Sequence, residues 1–110
     1  MSNIFHAGLE KRWSQFTLIE QMANIGAEVG RTIKWKTKGN VAMSRNAFFR
    51  GLELLDLTIS DKKNKKSLKE ILRVREALVD FFMGENIYGS SNALWEKYFF
   101  YFNLAARKNN

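Results

Sequence analysis

Four carboxylates in the middle of the chain are spaced so that they could act together. Glu53 and Asp56 stand at i, i+3, and Glu76 and Asp80 at i, i+4, so on helices each pair would share one face. Carboxylates placed in this way can bind a hard cation such as Mg²⁺. The alternative is that they pair with arginines, as partly buried charges in helical bundles do. We expect these arginine partners, drawn from Arg45, Arg50, Arg73 and Arg75.

The segment Glu53-Leu54-Leu55-Asp56 resembles half of the metal-binding motif of the all-α MazG-type nucleotide pyrophosphatases. That family carries its other ligands on the preceding helix, where this chain has Glu20 and Glu28. The family's ExxE pattern is absent, because Ala23 and Arg31 stand where the second glutamate would be. The resemblance implies a metal-dependent nucleotide hydrolase, which is one alternative function.

Most other catalytic sites lack the residues that they need. His6 is the only histidine and there is no cysteine, so one chain cannot supply a Ser-His-Asp triad, a Cys-His pair or a multi-histidine metal site. Neither standard glycine-rich phosphate-binding loop occurs. The arginine–histidine motif of the helical HEPN ribonucleases is also missing. We therefore predict no catalytic residue, no metal and no cofactor.

Apolar residues recur with helical periodicity in four segments, and the chain contains no proline. The first predicted helix covers 14–38 and the second runs from its cap at Asn40 to Ser60. A Ser67–Glu70 capping box opens the third, and Ser91 or Asn92 caps the fourth, which ends near Arg107. Short connections favour an all-α, antiparallel four-helix bundle in one domain over 1–110, with 1–12 frayed.

Gly26 and Gly30 have the GxxxG spacing within the first predicted helix. In a helix each glycine costs about 1 kcal/mol relative to alanine, so the pair must be compensated. We expect both glycines at a close crossing with a neighbouring helix.

Basic residues outnumber acidic ones, 18 to 11, which gives a formal net charge of +7. In an up-down bundle the basic residues would gather at the two ends, where several lysines could neutralise phosphates. Trp35 could stack on an unpaired base at one of them, or could instead pack on the adjoining helix. The lysine-rich segment at the other end could also be a plain solvated turn. The predicted nucleic-acid-binding residues are Arg31, Lys34, Trp35, Lys36, Lys38, Lys62, Lys63, Lys65 and Lys66.

Aromatic residues of the fourth predicted helix point in several directions around its axis. One face must close the bundle, and a chain of 110 residues cannot cover the others. Because exposed aromatic patches promote association, we predict a homo-oligomer whose interface includes Tyr98, Phe100 and Tyr101.

The overall plan resembles that of a known group of proteins. The shared features are the small size, the basic charge and the order of four helices, with Phe81 and Phe82 at the end of the third predicted helix. The group comprises the proteins encoded in 23S rRNA intervening sequences and the related accessory variability proteins of diversity-generating retroelements. The resemblance implies a ring-shaped pentamer that binds nucleic acid or a reverse transcriptase.

The sequence thus predicts a non-enzymatic, cytoplasmic protein that self-associates and binds nucleic acid, RNA in preference to DNA, or a nucleoprotein partner. No segment approaches the run of about 18 apolar residues that a membrane span needs. A purely protein-binding adaptor is the other alternative to the nucleotide hydrolase.

Overall fold

The computed structural model describes residues 7–108, which are mostly helical and contain no strand. The α-helices are α1 (Ala7–Trp13), α2 (Leu18–Thr37), α3 (Val41–Ser60), α4 (Leu68–Met83) and α5 (Asn92–Lys108). A 3₁₀ helix, Lys62–Ser67, leads directly into α4. The predicted all-α class is confirmed. Of the 1–12 stretch expected to fray, 7–12 are helical, whereas 1–6, including His6, lie outside the described residues.

The first predicted helix, 14–38, corresponds to α2, which begins at Leu18; α1 precedes it, in the stretch that was expected to fray. Thr17 caps α2: its hydroxyl accepts a hydrogen bond from the Glu20 N–H at 3.2 Å, and the Glu20 carboxylate accepts one from the Thr17 N–H at 2.9 Å. This capping box starts a new helix. The predicted start at residue 14 was wrong, because 14–17 connect α1 to α2 and the helix begins only after the Thr17 cap. Phe16 lies in the connection between α1 and α2 and is 40% exposed.

Side-chain hydrogen bonds hold α1 against the rest of the protein. The indole N–H of the buried Trp13 donates to Thr58 Oγ1 at 3.0 Å, and Gln21 Nε2 donates to the Trp13 carbonyl at 2.9 Å. Buried polar groups of this kind are costly unless they are paired. These two bonds therefore fix α1 to both α2 and α3.

The hydrophobic core lies around α2, which packs between α3 and α5. Ile25 of α2, Leu55 of α3 and Leu78 of α4 are essentially inaccessible to solvent, and Trp95 and Phe99 of α5 are also buried. Each such side chain stabilises the fold by about 1.5–3 kcal/mol on burial. No helix in the described part of the chain is long and apolar enough to cross a membrane.

Two of the predicted helix caps are confirmed and one is wrong. Asn40 Oδ1 accepts from the Met43 N–H at 3.1 Å, and Ser91 Oγ accepts from the Leu94 N–H at 3.1 Å. Ser67 makes no side-chain cap bond, because the chain enters α4 from the 3₁₀ helix and not from an extended segment. Asp61 caps that 3₁₀ helix instead, accepting from the Lys63 N–H at 3.2 Å.

The two glycines of α2 have different surroundings. A Cβ atom on Gly26 would lie 2.7 Å from Phe99 Cβ, which confirms a close crossing of α2 and α5 at this point. A Cβ atom on Gly30 would meet nothing within 4 Å, and Gly30 is exposed. The prediction for Gly30 was wrong because crossing helices diverge, so that one turn further along the space is open.

Candidate nucleic-acid interface

Trp35 lies near the end of α2, where the ammonium groups of two lysines lie over its indole ring. The Nζ atoms of Lys34 and Lys38 are each 5.5 Å from the ring centroid, and the Trp35 side chain is half-buried. Ammonium groups at this distance interact favourably with the ring face. We call Lys34, Trp35 and Lys38 the Trp35 surface; it places two positive charges close to one aromatic ring.

The remaining predicted residues of this region have different partners. Arg31 forms an ion pair with Glu28 at 3.2 Å, and Glu28 also binds Arg50, so the Arg31 charge is partly offset. Lys36 lies over Phe81 and Phe82, with Nζ 5.0 and 5.5 Å from the two ring centroids. Lys36 therefore belongs to a neighbouring feature and not to the Trp35 surface.

That neighbouring feature is a groove of about 380 Å³ where the end of α2 meets the start of α3 and the end of α4. We call it the Phe82 groove; its lining is Thr32, Lys36, Val41, Ser44, Arg45, Phe48, Phe82 and Met83. Val41 and Met83 are 67% and 57% exposed, and no lining residue is acidic. The sequence analysis missed it, because only the tertiary pairing of α3 with α4 brings Val41 and Met83 together.

The lysine-rich segment, for which a plain solvated turn was the alternative to phosphate binding, is an ordered 3₁₀ turn. Asn64 is only 3% exposed, and its Nδ2 donates to Gln21 Oε1 at 2.8 Å and to the Thr58 carbonyl at 3.0 Å. This buried amide anchors the backbone between the lysines. We call Lys62, Lys63, Lys65 and Lys66 the lysine turn; all four are exposed.

Lys63 differs from the other three lysines because it has partners within the protein. Its ammonium group forms an ion pair with Asp61 and donates to the Ser14 carbonyl at 2.8 Å. Burial of Asp61 opposes its ionisation, but hydrogen bonds from Lys63 and Gln21 outweigh that effect and hold the Asp61 pKa below its ordinary value. Lys63 thus supports the turn, while Lys62, Lys65 and Lys66 form no ion pair within residues 7–108.

The four carboxylates considered first are not gathered into one site. Asp56 accepts from Arg75 Nε at 2.7 Å, which confirms an arginine partner for Asp56. Asp80 instead accepts from the backbone N–H groups of Ile87 and Tyr88, at 2.8 and 2.9 Å, so it orders the loop after α4. Within residues 7–108 no group of three or more potential ligands is placed to hold a metal ion.

The pKa of Glu53 is raised, first by burial and then by the neighbouring charge of Asp56. That direction fits a carboxyl group that has no strong cationic partner. Arg50, which opposes the shift, binds Glu28 through its Nε at 3.4 Å.

The residues predicted to form the α5 interface differ in their surroundings. Tyr98 is half-buried against α4 and donates to Glu70 Oε2 at 3.0 Å; burial and the Glu70 charge raise its pKa. The Tyr98 hydroxyl thus has a partner inside the protein. Phe100 and Tyr101 are 56% and 58% exposed, and Leu104 lies beside them at 39%. We call Phe100, Tyr101 and Leu104 the α5 patch.

No protein family, curated protein or solved structure matches this chain. The function is therefore inferred from the charges, aromatic side chains and grooves of the chain itself.

Proposed function

We propose that this protein binds nucleic acid, RNA in preference to DNA, alone or within a nucleoprotein, and performs no chemistry. The observation that carries the proposal is the Trp35 surface. Its half-buried tryptophan offers stacking for a base, and the two lysines beside it offer positive charge for the phosphates. Proteins that bind single strands combine these two elements.

The charge of the whole surface supports this assignment. The chain has 18 lysines and arginines, and only Arg31, Arg50, Lys63 and Arg75 form ion pairs within residues 7–108. The other cations of that range are not paired with the protein's own carboxylates. They therefore remain able to displace counterions from a nucleic-acid backbone.

The lysine turn is the second proposed contact. Lys62, Lys65 and Lys66 project from a backbone that Asn64 anchors, so little conformational entropy of the backbone is lost when they bind phosphate. Because lysine side chains that bind phosphates do not read the bases, we assign these contacts to the sequence-independent part of the affinity. Lys36 and Arg31 contribute charge near the Trp35 surface.

RNA is favoured over DNA because of the tryptophan. Sequence-specific RNA recognition targets loops and single strands whose bases can unstack and lie on aromatic side chains. A cellular RNA offers such segments more often than duplex DNA does.

We further propose that the four long helices form an antiparallel bundle that self-associates in the cytoplasm. Two contacts support opposite directions for α2 and α3: Ser44 near the start of α3 donates to the Thr32 carbonyl, whereas Asn64 beyond the end of α3 donates to Gln21 near the start of α2. The α5 patch supports association, because exposed aromatic side chains are best covered by another protein surface.

The test is a binding titration with a fluorescently labelled single-stranded RNA, its duplex form and single-stranded DNA of the same sequence. We expect the single-stranded RNA to bind most tightly and the affinity to fall steeply with salt. Absence of binding at low salt to all three would overturn the proposed function. Mg²⁺-dependent release of product from nucleoside triphosphates would point instead to a hydrolase.

A further inference from the structure

The Phe82 groove combines an apolar lining with positive charge at its edge. The Phe82 ring packs against Phe48 and Phe81, with centroids 5.1 and 4.8 Å away, so neighbouring aromatics hold it in place. Val41 and Met83 are mostly exposed although both line the groove. Large apolar side chains left open around a concavity indicate a place for an apolar group of a ligand.

The charged residues of the groove have no partner of opposite sign in the described part of the chain. Neither Lys36 nor Arg45 forms an ion pair within residues 7–108, and the lining contains no carboxylate. Lys36 Nζ lies 5.5 Å from the Phe82 ring centroid, so a cation stands next to the aromatic lining. A ligand that satisfies both features has a flat apolar part and an adjacent anionic group.

We infer that the Phe82 groove holds one unstacked nucleotide of a single-stranded nucleic acid. The base lies against Phe82, Val41 and Met83, and Lys36 and Arg45 bind the phosphate beside it. This inference rests on the proposed function and assigns it a base-binding site. Lys36 follows Trp35 directly in α2, so the groove and the Trp35 surface involve consecutive residues of one helix.

A matched pair of variants tests the groove. Val41→Glu places a carboxylate in it, whereas Ile87→Glu makes the same change at an aliphatic residue outside it that is 81% exposed. Both variants alter the net charge equally, and duplex RNA, which offers no unstacked base, measures the effect of the added charge at each site. For single-stranded RNA we expect Val41→Glu to lose about tenfold or more affinity relative to Ile87→Glu, the loss of one stacked base.

A second measurement uses the unaltered protein. With ¹³C-labelled methionine methyl groups, addition of single-stranded RNA should shift the Met83 resonance strongly through the ring current of the bound base. Met22, which is buried, and Met43, which does not line the groove, provide internal references and should move little.

The outcomes separate the groove from the proposed function. If the wild type binds single-stranded RNA while the two glutamate variants bind it equally and Met83 does not shift, the groove is not a base site and nucleic-acid binding stands. If Met83 shifts with protein concentration and not with RNA, a second copy of the chain occupies the groove and the inference is overturned. If the wild type binds neither strand nor duplex, both proposals fall.

Discussion

Gly26 of α2 and Phe99 of α5 touch so closely that no side chain fits between them: a Cβ atom on Gly26 would lie 2.7 Å from Phe99 Cβ and 2.9 Å from its ring. The contact fixes α5 against the central helix. It also determines which aromatic residues of α5 are buried, since Phe99 points to α2 while Phe100 and Tyr101 remain outside.

Substitution of Gly26 by leucine should destabilise the fold by about 1–3 kcal/mol, because a branched side chain overpacks the crossing. Gly30→Ala serves as the control. It fills open space and should stabilise the protein by up to about 1 kcal/mol through helix propensity. Urea unfolding of both variants measures the difference, and equal stability of the two would contradict the crossing.

The Asp61–Lys63 pair makes stability depend on pH at the acidic end. The folded-state pKa of Asp61 lies below its ordinary value of 3.8, so its contribution is fully present above about pH 4 and is lost as the pH falls through the lowered pKa. Asp61→Asn should reduce this acid dependence while also costing stability at neutral pH. Thermal unfolding of both proteins at a series of pH values checks this, and parallel profiles would show that Asp61 does not contribute.

Charge reversal in the lysine turn should weaken RNA binding without unfolding the protein. The double variant Lys65→Glu, Lys66→Glu removes two exposed cations. For each phosphate that is no longer neutralised, the magnitude of the slope of log affinity against log salt concentration should decrease by about 0.7–0.9. Arg73→Glu with Lys97→Glu changes the net charge equally at exposed sites away from the turn. Equal slopes of affinity against salt for the two double variants would show that the lysine turn is an ordinary solvated surface.

The α5 patch should mediate self-association. Phe100→Glu with Tyr101→Glu places two charges in it and should give a monomer, whereas the wild type forms an oligomer at micromolar concentration. Ile87→Glu with Tyr88→Glu makes comparable changes at exposed loop residues and should leave the oligomer intact. Light scattering measures the molar mass of both double variants and of the wild type. A monomeric wild type would contradict self-association and would indicate that a different protein covers the α5 patch.

Local sequence patterns predicted the four long helices and two caps; the caps are local because Asn40 and Ser91 accept from N–H groups three residues away. Features that depend on distant partners were missed. The order of the lysine turn comes from the contact of Asn64 with Gln21, 43 residues earlier. Likewise, the spacing of Gly26 and Gly30 could not reveal which of them meets α5.

The same limit applies to the candidate site. Trp35 with its flanking lysines is recognisable from sequence, since all three stand within about one turn of a helix. The Phe82 groove is not, because its walls come from three helix ends. For Asp80, helical spacing suggested a paired carboxylate, whereas the loop that follows α4 supplies its partners.

Tryptophan fluorescence tests the central claim most directly, since Trp13 and Trp95 are 5% and 4% exposed and Trp35 alone of the three is half-buried. Addition of single-stranded RNA at low salt should quench the emission of Trp35, because a stacked base deactivates the excited ring. A Trp35→Phe variant should fold normally, lose this quenching and bind more weakly. If labelled RNA binds while the tryptophan emission of the wild type stays unchanged, Trp35 is not a stacking platform; if RNA does not bind at all, the proposed function is contradicted.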